Sequence, residues 1–152
     1  MRALLALTLS LFSFSATAAD LRIEGAWVRA TIASQRTTGA FMTLTSPIDA
    51  TLVGVHSPAA GKLELHETKM PGGVMKMRAI DRIALPAGKP VALEPGGKHI
   101  MIFALKEGLA AGNRLPLELE VESAGKNSRY RIEAEVRPLN AEAPVPHHRG
   151  RH

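Results

Sequence analysis

No cysteine occurs anywhere in the 152 residues. Disulfide stapling and thiolate metal sites are therefore excluded, and any fold must rest on its apolar core. Aromatic residues are few: one Trp, one Tyr and four Phe. The chain has no cluster of Lys and Arg with interleaved aromatics, so nucleic acid is not an expected partner. Beyond residue 20 no run approaches the roughly 20 apolar residues that span a bilayer, so no membrane insertion of that part is expected. Nor does any segment carry a sustained 3.6-residue apolar stripe with caps, which leaves helices without a signal. Nucleophile–base pairs, paired carboxylates and phosphate loops are missing too, so the chain does not read as an enzyme.

The first 19 residues stand apart. Met1-Arg2 supplies a short positive start, Ala3 to Phe14 is apolar apart from Thr8, Ser10 and Ser13, and Ser15-Ala16-Thr17-Ala18-Ala19 supplies small residues. This is the layout of a cleaved secretory signal peptide, with cleavage expected after Ala18 or Ala19 and a periplasmic product. With no cysteine in the sequence, lipid anchoring through that residue is not expected. About 133 residues then remain, enough for one domain with its own core. Lys and Arg total 19 against 14 Asp and Glu. The excess is mild and spread along the chain, not a patch.

From residue 20 the dominant period is two. Leu117, Leu119 and Val121 alternate with Glu118, Glu120 and Glu122, and Tyr130, Ile132, Ala134 and Val136 alternate with charged residues. These are two half-buried strands joined by a Gly-containing turn at 123–128, whose Glu and Arg rows can pair across the hairpin. Further strands are expected at 21–29, 39–46, 51–57, 62–68, 74–80, 90–93 and 99–105, separated by Pro and Gly. Eight or nine short strands at this spacing predict an all-β Greek-key sandwich or barrel in a single domain, residues 20–138. Residues 139–152 lose the alternation, become Pro-rich and end in His147-His148-Arg149-Gly150-Arg151-His152; they read as a flexible tail.

Histidine and methionine are what the chain has in place of cysteine. Outside the leader and the tail there are three His and five Met, and all but Met42 fall between residues 56 and 101. In His99-Ile100-Met101 the strand period puts His99 and Met101 on one face and Ile100 in the core. Pro95-Gly96-Gly97 marks a turn just before them. His66 and the segment Met70-Pro71-Gly72-Gly73-Val74-Met75-Lys76-Met77 read as strand, turn, strand, which brings His66 near Met75 or Met77. Two imidazoles and two thioethers then meet at one point. Thioether sulfur is soft and selects Cu(I), whereas zinc favours Cys, His or carboxylate and calcium needs an oxygen cage. An electron-transfer copper site would need a cysteine thiolate and cannot form here. A copper oxygenase built on an N-terminal His is not supported either, since the processed chain would start at Ala19 or Asp20. Met42 reads as core, His56 as structural or solvated, and Met70 and Met75 as lesser candidates. Trp27 fits either the core or a shield over the metal.

The spacing His66, ten residues, Met77, twenty-one residues, His99, one residue, Met101 resembles the H-x10-M-x21-H-x-M signature of the PCuAC family of periplasmic copper chaperones. Leu63-Glu64-Leu65-His66-Glu67-Thr68, Leu85-Pro86-Ala87-Gly88, Leu93-Glu94-Pro95-Gly96-Gly97-Lys98-His99-Ile100-Met101 and Trp27-Val28-Arg29 are similar to that family as well. The resemblance implies a cupredoxin-like β-sandwich and a surface-exposed Cu(I) site made by His66, Met77, His99 and Met101. It further implies copper supply to the CuA centre of cytochrome c oxidase, with subunit II of that enzyme or another copper chaperone as the acceptor. Copper sequestration for tolerance, with no dedicated acceptor, uses the same residues and is the alternative.

The tail carries no part of that signature. His147, His148 and His152 offer imidazole without thioether, a set suited to Cu(II) rather than Cu(I). A second, weaker Cu(II) site is expected there. Truncation after Arg137 should remove one Cu(II) equivalent in a titration and leave the Cu(I) stoichiometry unchanged; a truncated chain that keeps every Cu(II) equivalent would make the tail a plain terminus.

Overall fold

The computed structural model describes residues 20–141. The leader and the three tail histidines, His147, His148 and His152, lie outside the described residues. Ten strands form: β1 (Arg22–Arg29), β2 (Thr38–Thr45), β3 (Ala50–His56), β4 (Ala60–Lys69), β5 (Lys76–Ile80), β6 (Ile83–Leu85), β7 (Val91–Leu93), β8 (Lys98–Leu105), β9 (Arg114–Ser123) and β10 (Lys126–Arg137). The only helical element among the described residues is a 3-10 turn, Pro71–Gly73. None of the helices there is long and apolar enough to cross a membrane.

The strands join in one sheet of order β5-β4-β8-β2-β1-β10-β9-β3-β6, with β7 also paired to β2. Among the described residues all pairings are antiparallel except β1 with β10, a parallel pair that ties the first strand to the last. Consecutive strands repeatedly cross from one half of the sheet to the other, as between β2 and β3 or β3 and β4. The sheet folds over on itself, so that inward residues of both halves share one core: Ile100, Ile102 and Leu65 from one side, Leu52, Leu119 and Val121 from the other. This is the expected all-β, cupredoxin-like sandwich in a single domain.

Alternation decides which residues enter that core. Leu115, Leu117, Leu119 and Val121 are buried along β9 while the intervening positions stay partly exposed. Glu118 on the outer face accepts hydrogen bonds from Arg131 at 2.8 Å and Arg129 at 3.3 Å across the β9–β10 ladder. Gly25, at φ 61°, sits where the β1–β2 register slips between Glu24 and Trp27, a bulge that a side chain would strain. Sequence reading differs from the fold in two places. β6 has only three residues, too few to display a period, and is recognisable only by its buried Ile83 and Leu85 around exposed Ala84. β5 begins at Lys76 rather than Val74, because its partner β4 ends at Lys69, which pairs with Lys76, and Val74 and Met75 have no ladder partner.

The hydrogen bond from Arg131 is the main cause that holds the Glu118 carboxyl below its usual range, with burial opposing it. A lowered pKa in the folded state stabilises above the ordinary carboxylate range and loses that contribution as pH falls through the folded value. Glu118→Gln should therefore lower the urea midpoint at neutral pH and make little difference near pH 3. An equal difference at both pH values would remove the ion pairs from the account.

Candidate metal centre

The face of the sheet opposite the core, across β5, β4, β8, β2 and β1, carries His66, Met77, His99 and Met101. Ile100 and Ile102 turn inward and are fully buried, so His99 and Met101 must point the other way. His66 stands directly opposite His99 in the β4–β8 register, and Glu64 opposite Met101. In the β4–β5 ladder Met77 faces Thr68 and Ala79 faces His66. Met77 and Met101 are thus both diagonal neighbours of His66, a separation of roughly 7–8 Å at Cα that long side chains bridge. The two imidazole centroids lie 5.9 Å apart.

Both imidazoles are oriented by acceptors. His99 Nδ1 lies 3.0 Å from the Gly97 carbonyl oxygen. A carbonyl only accepts, so Nδ1 carries the proton and Nε2 keeps a free lone pair. The same Gly97 oxygen accepts the Thr68 amide at 3.0 Å, which fastens the turn before β8 to the end of β4. His66 Nε2 lies 3.0 Å from Glu64 Oε2 and donates to it, leaving Nδ1 as the free nitrogen; Nδ1 is buried and has no hydrogen-bond partner. This is the outer-shell pattern that fixes tautomer and ring direction in histidine metal sites. The His66 hydrogen bond, and then Lys62, hold Glu64 below the usual carboxylate range. Burial, which outweighs the Gly97 hydrogen bond, pushes His99 below the usual imidazole value and favours its neutral, ligating form.

His99 is more enclosed than its outward direction predicts, at 4% exposure. Phe41, whose ring centroid is 6.3 Å away, covers it from β2, and Trp27 packs on Phe41 at 4.6 Å from β1. Trp27 is itself buried, at 1% exposure, and lies outside the main core cluster. It neither fills the sandwich nor touches the histidines; it backs the ring that does. Sequence offered Phe41 no distinguishing signal beyond its place beside Met42.

A cavity of about 430 Å³ opens on this face, with Met75, Met77, His99 and Met101 in its wall. His66 is not in that wall and meets His99 from the side. Met77 and Met75 are exposed, at 52% and 63%, and Met75 lies just before β5 rather than on it. Met70 is exposed and away from the cavity, Met42 is core, and His56 is exposed at the end of β3, 3.5 Å from Glu120. Among the described residues no three His, Cys, Asp or Glu side chains are placed to hold a metal ion by themselves. Imidazole with thioether is the donor set this face offers, and it fits a soft monovalent ion better than zinc or calcium.

Fold and site together define a cupredoxin-like β-sandwich with a His/Met face. Two solved structures, the copper-bound and metal-free PCuAC domains of PmoF2, share this fold at TM-scores of 0.64 and 0.66, with 23% and 24% identity, over 80% and 84% of this chain and 95% and 97% of theirs. The solution structure of Cu(I)-DR1885 from Deinococcus radiodurans is 30% identical, with a TM-score of 0.63 and 84% of each chain covered. The family described as "Putative lipoprotein LpqE-like" matches residues 21–133, and the chain belongs to it. A relative described as "Putative lipoprotein Lxx21020", from Leifsonia xyli subsp. xyli (strain CTCB07), is 38% identical over 102 residues. That match takes in 65% of this chain and 60% of the relative, so the chain spans less than two thirds of its length.

Gly39 is the residue whose smallness the site requires. It pairs with Met101, and a Cβ there would lie 2.8 Å from Phe41 Cζ. Phe41 has Trp27 behind it and His99 in front, so it has little room to yield. Gly39→Ala should cost about 1–3 kcal/mol of stability, as overpacking does. It should also change the fluorescence of Trp27, the sole Trp. A variant with parental melting temperature and spectrum would show that the ring moves freely.

Proposed function

We propose that this chain is an exported copper carrier that holds one Cu(I) with His66, Met77, His99 and Met101 and hands it to an acceptor protein. The observation that carries the reading is the pair His66 and His99. They stand opposite each other on adjacent strands, each with one nitrogen tethered to an acceptor and the other free, on the face that also bears Met77 and Met101. Two neutral imidazoles and two neutral thioethers suit Cu(I) and need no deprotonation. The similarity to DR1885, described with Cu(I), supports the same ion. The leader's signal-peptide layout and the similarity to putative lipoproteins support export.

Release follows from exposure. Met77 stands half open to solvent on a strand at the edge of the sheet, where the ligands of an incoming protein reach the site first. On this reading the acceptor is the CuA site of cytochrome c oxidase subunit II or a further copper chaperone, and the chain performs no catalysis. Met75, in the same cavity wall, is a shielding residue or a replacement thioether for Met77.

Anaerobic Cu(I) competition titration tests the ligand set. Met77→Leu and Met101→Leu keep shape and lose sulfur; each should weaken Cu(I), whereas Met42→Leu, in the core, should not. Glu64→Ala releases the His66 ring and should cost about 10–100-fold in affinity, the scale for loss of an orienting partner. Parental affinity in both Met77→Leu and Met101→Leu would sink the assignment. Mixing the loaded protein with apo subunit II separates delivery from sequestration: transfer should be complete within minutes, and retention of the ion would favour storage.

A further inference from the structure

The cavity has a second wall that the metal reading leaves without a role. Opposite the thioethers, Arg29 and Arg36 line the same space, and no Asp or Glu does. Among the described residues neither arginine pairs with a carboxylate. Arg29 has a like charge beside it, since it faces Arg137 in the parallel β1–β10 pair. Its guanidinium lies over the Phe41 ring, 5.8 Å from the centroid, and its Nε is shielded from solvent with no hydrogen-bond partner. A shielded donor without an acceptor costs free energy that only a bound acceptor recovers.

We infer that this cavity binds a small organic carboxylate, its charged end held by Arg29 and Arg36 and its apolar body against Phe41, Met75, Met101 and Pro95. A guanidinium presents donors in a planar fork that matches a carboxylate. The volume of about 430 Å³ falls in the range of small-molecule sites. An inorganic anion would satisfy the arginines alone and leave the ring and thioether wall unused, so the ligand has an apolar part. The site needs no metal to form, so its test runs on metal-free protein.

The experiment is a titration of the metal-free full chain with benzoate, acetate, benzamide and inorganic phosphate, followed by Trp27 fluorescence and by the Arg29 Nε–H and Gly39 amide NMR signals. Benzoate should bind saturably and shift all three reporters. Benzamide, of the same shape without charge, should bind about tenfold more weakly, the scale of a lost charge-assisted hydrogen bond. Arg36→Gln should show a comparable loss and Arg36→Lys a smaller one; Arg36 is exposed, so these variants should fold even where Arg29→Gln does not. No saturable benzoate shift, equal binding of benzamide, phosphate binding as tight as benzoate, or an unaffected Arg36→Gln would each overturn the inference. A Cu(I) titration of the Arg36→Gln protein keeps the two proposals apart: copper affinity should hold at the parental value, and a protein that takes benzoate but no copper would refute the carrier reading alone.

Discussion

Strand β8 cannot bury Ile100 and Ile102 without presenting His99 and Met101 on its other side. That two-residue period ties the chemistry of this protein to its stability. The core needs the isoleucines, since burying such side chains contributes roughly 1.5–3 kcal/mol each. Any register slip that moved His99 off the outer face would drive it, with Met101, into the sandwich. The hydrophobic core therefore sets the face on which these side chains stand. The same logic fixes β4, where Leu65 is buried and Glu64 and His66 face outward together. Antiparallel pairing of β4 with β8 then sets His66 across from His99 with no further device.

Orientation is a separate matter from placement, and it comes from single acceptors. The Gly97 carbonyl accepts from both the Thr68 amide and the His99 ring. One oxygen thus ties the turn before β8 to β4 and selects the tautomer of the histidine after it. Gly96, at φ 83°, lets the chain make that turn. Glu64 does the equivalent for His66 through its side chain. The two imidazoles differ in their surroundings: one is covered by Phe41, which Trp27 backs, and the other sits between His99 and Phe103, whose ring centroid is 6.0 Å away.

Much of this was legible in the residues alone, because period two is a local signal. The long strands, the hairpin carrying Glu118 and Arg131, and the shared face of His99 and Met101 all follow from alternation within a few residues. What the sequence hid depends on contacts between distant strands. Nothing near Trp27 says that it lies one ring removed from His99, since Phe41 intervenes from another strand. The enclosure of His99, the three-residue β6 and the convergence of Arg29 and Arg36 on the thioether cavity are likewise products of tertiary packing. Met75 shows the limit from the other side. Its parity with Met77 suggested a shared strand, yet the β4–β5 ladder stops at Lys69 and Lys76, and Met75 reaches the same cavity from a loop.

On the copper reading, the distribution of the four proposed donors over the sheet bears on how the chain would both hold and release the ion. His99 and Met101 lie on β8, paired on both sides by β4 and β2. Met77 lies on β5, which has β4 on one side only and whose five residues are exposed or nearly so. Edge strands with few buried contacts open at lower free energy than central ones. On the copper reading, the enclosed imidazole and Met101 keep their geometry while the thioether at the edge is the ligand most easily displaced. An incoming donor that replaces Met77 leaves the remaining three in place, so exchange proceeds through a shared ion rather than a free one. The charges of Lys76 and Arg78 flank that entry and keep the exposed edge from pairing with another strand. A site built wholly on β4 and β8 would bind through residues the core holds rigid, and would give up its cargo only by opening the sandwich.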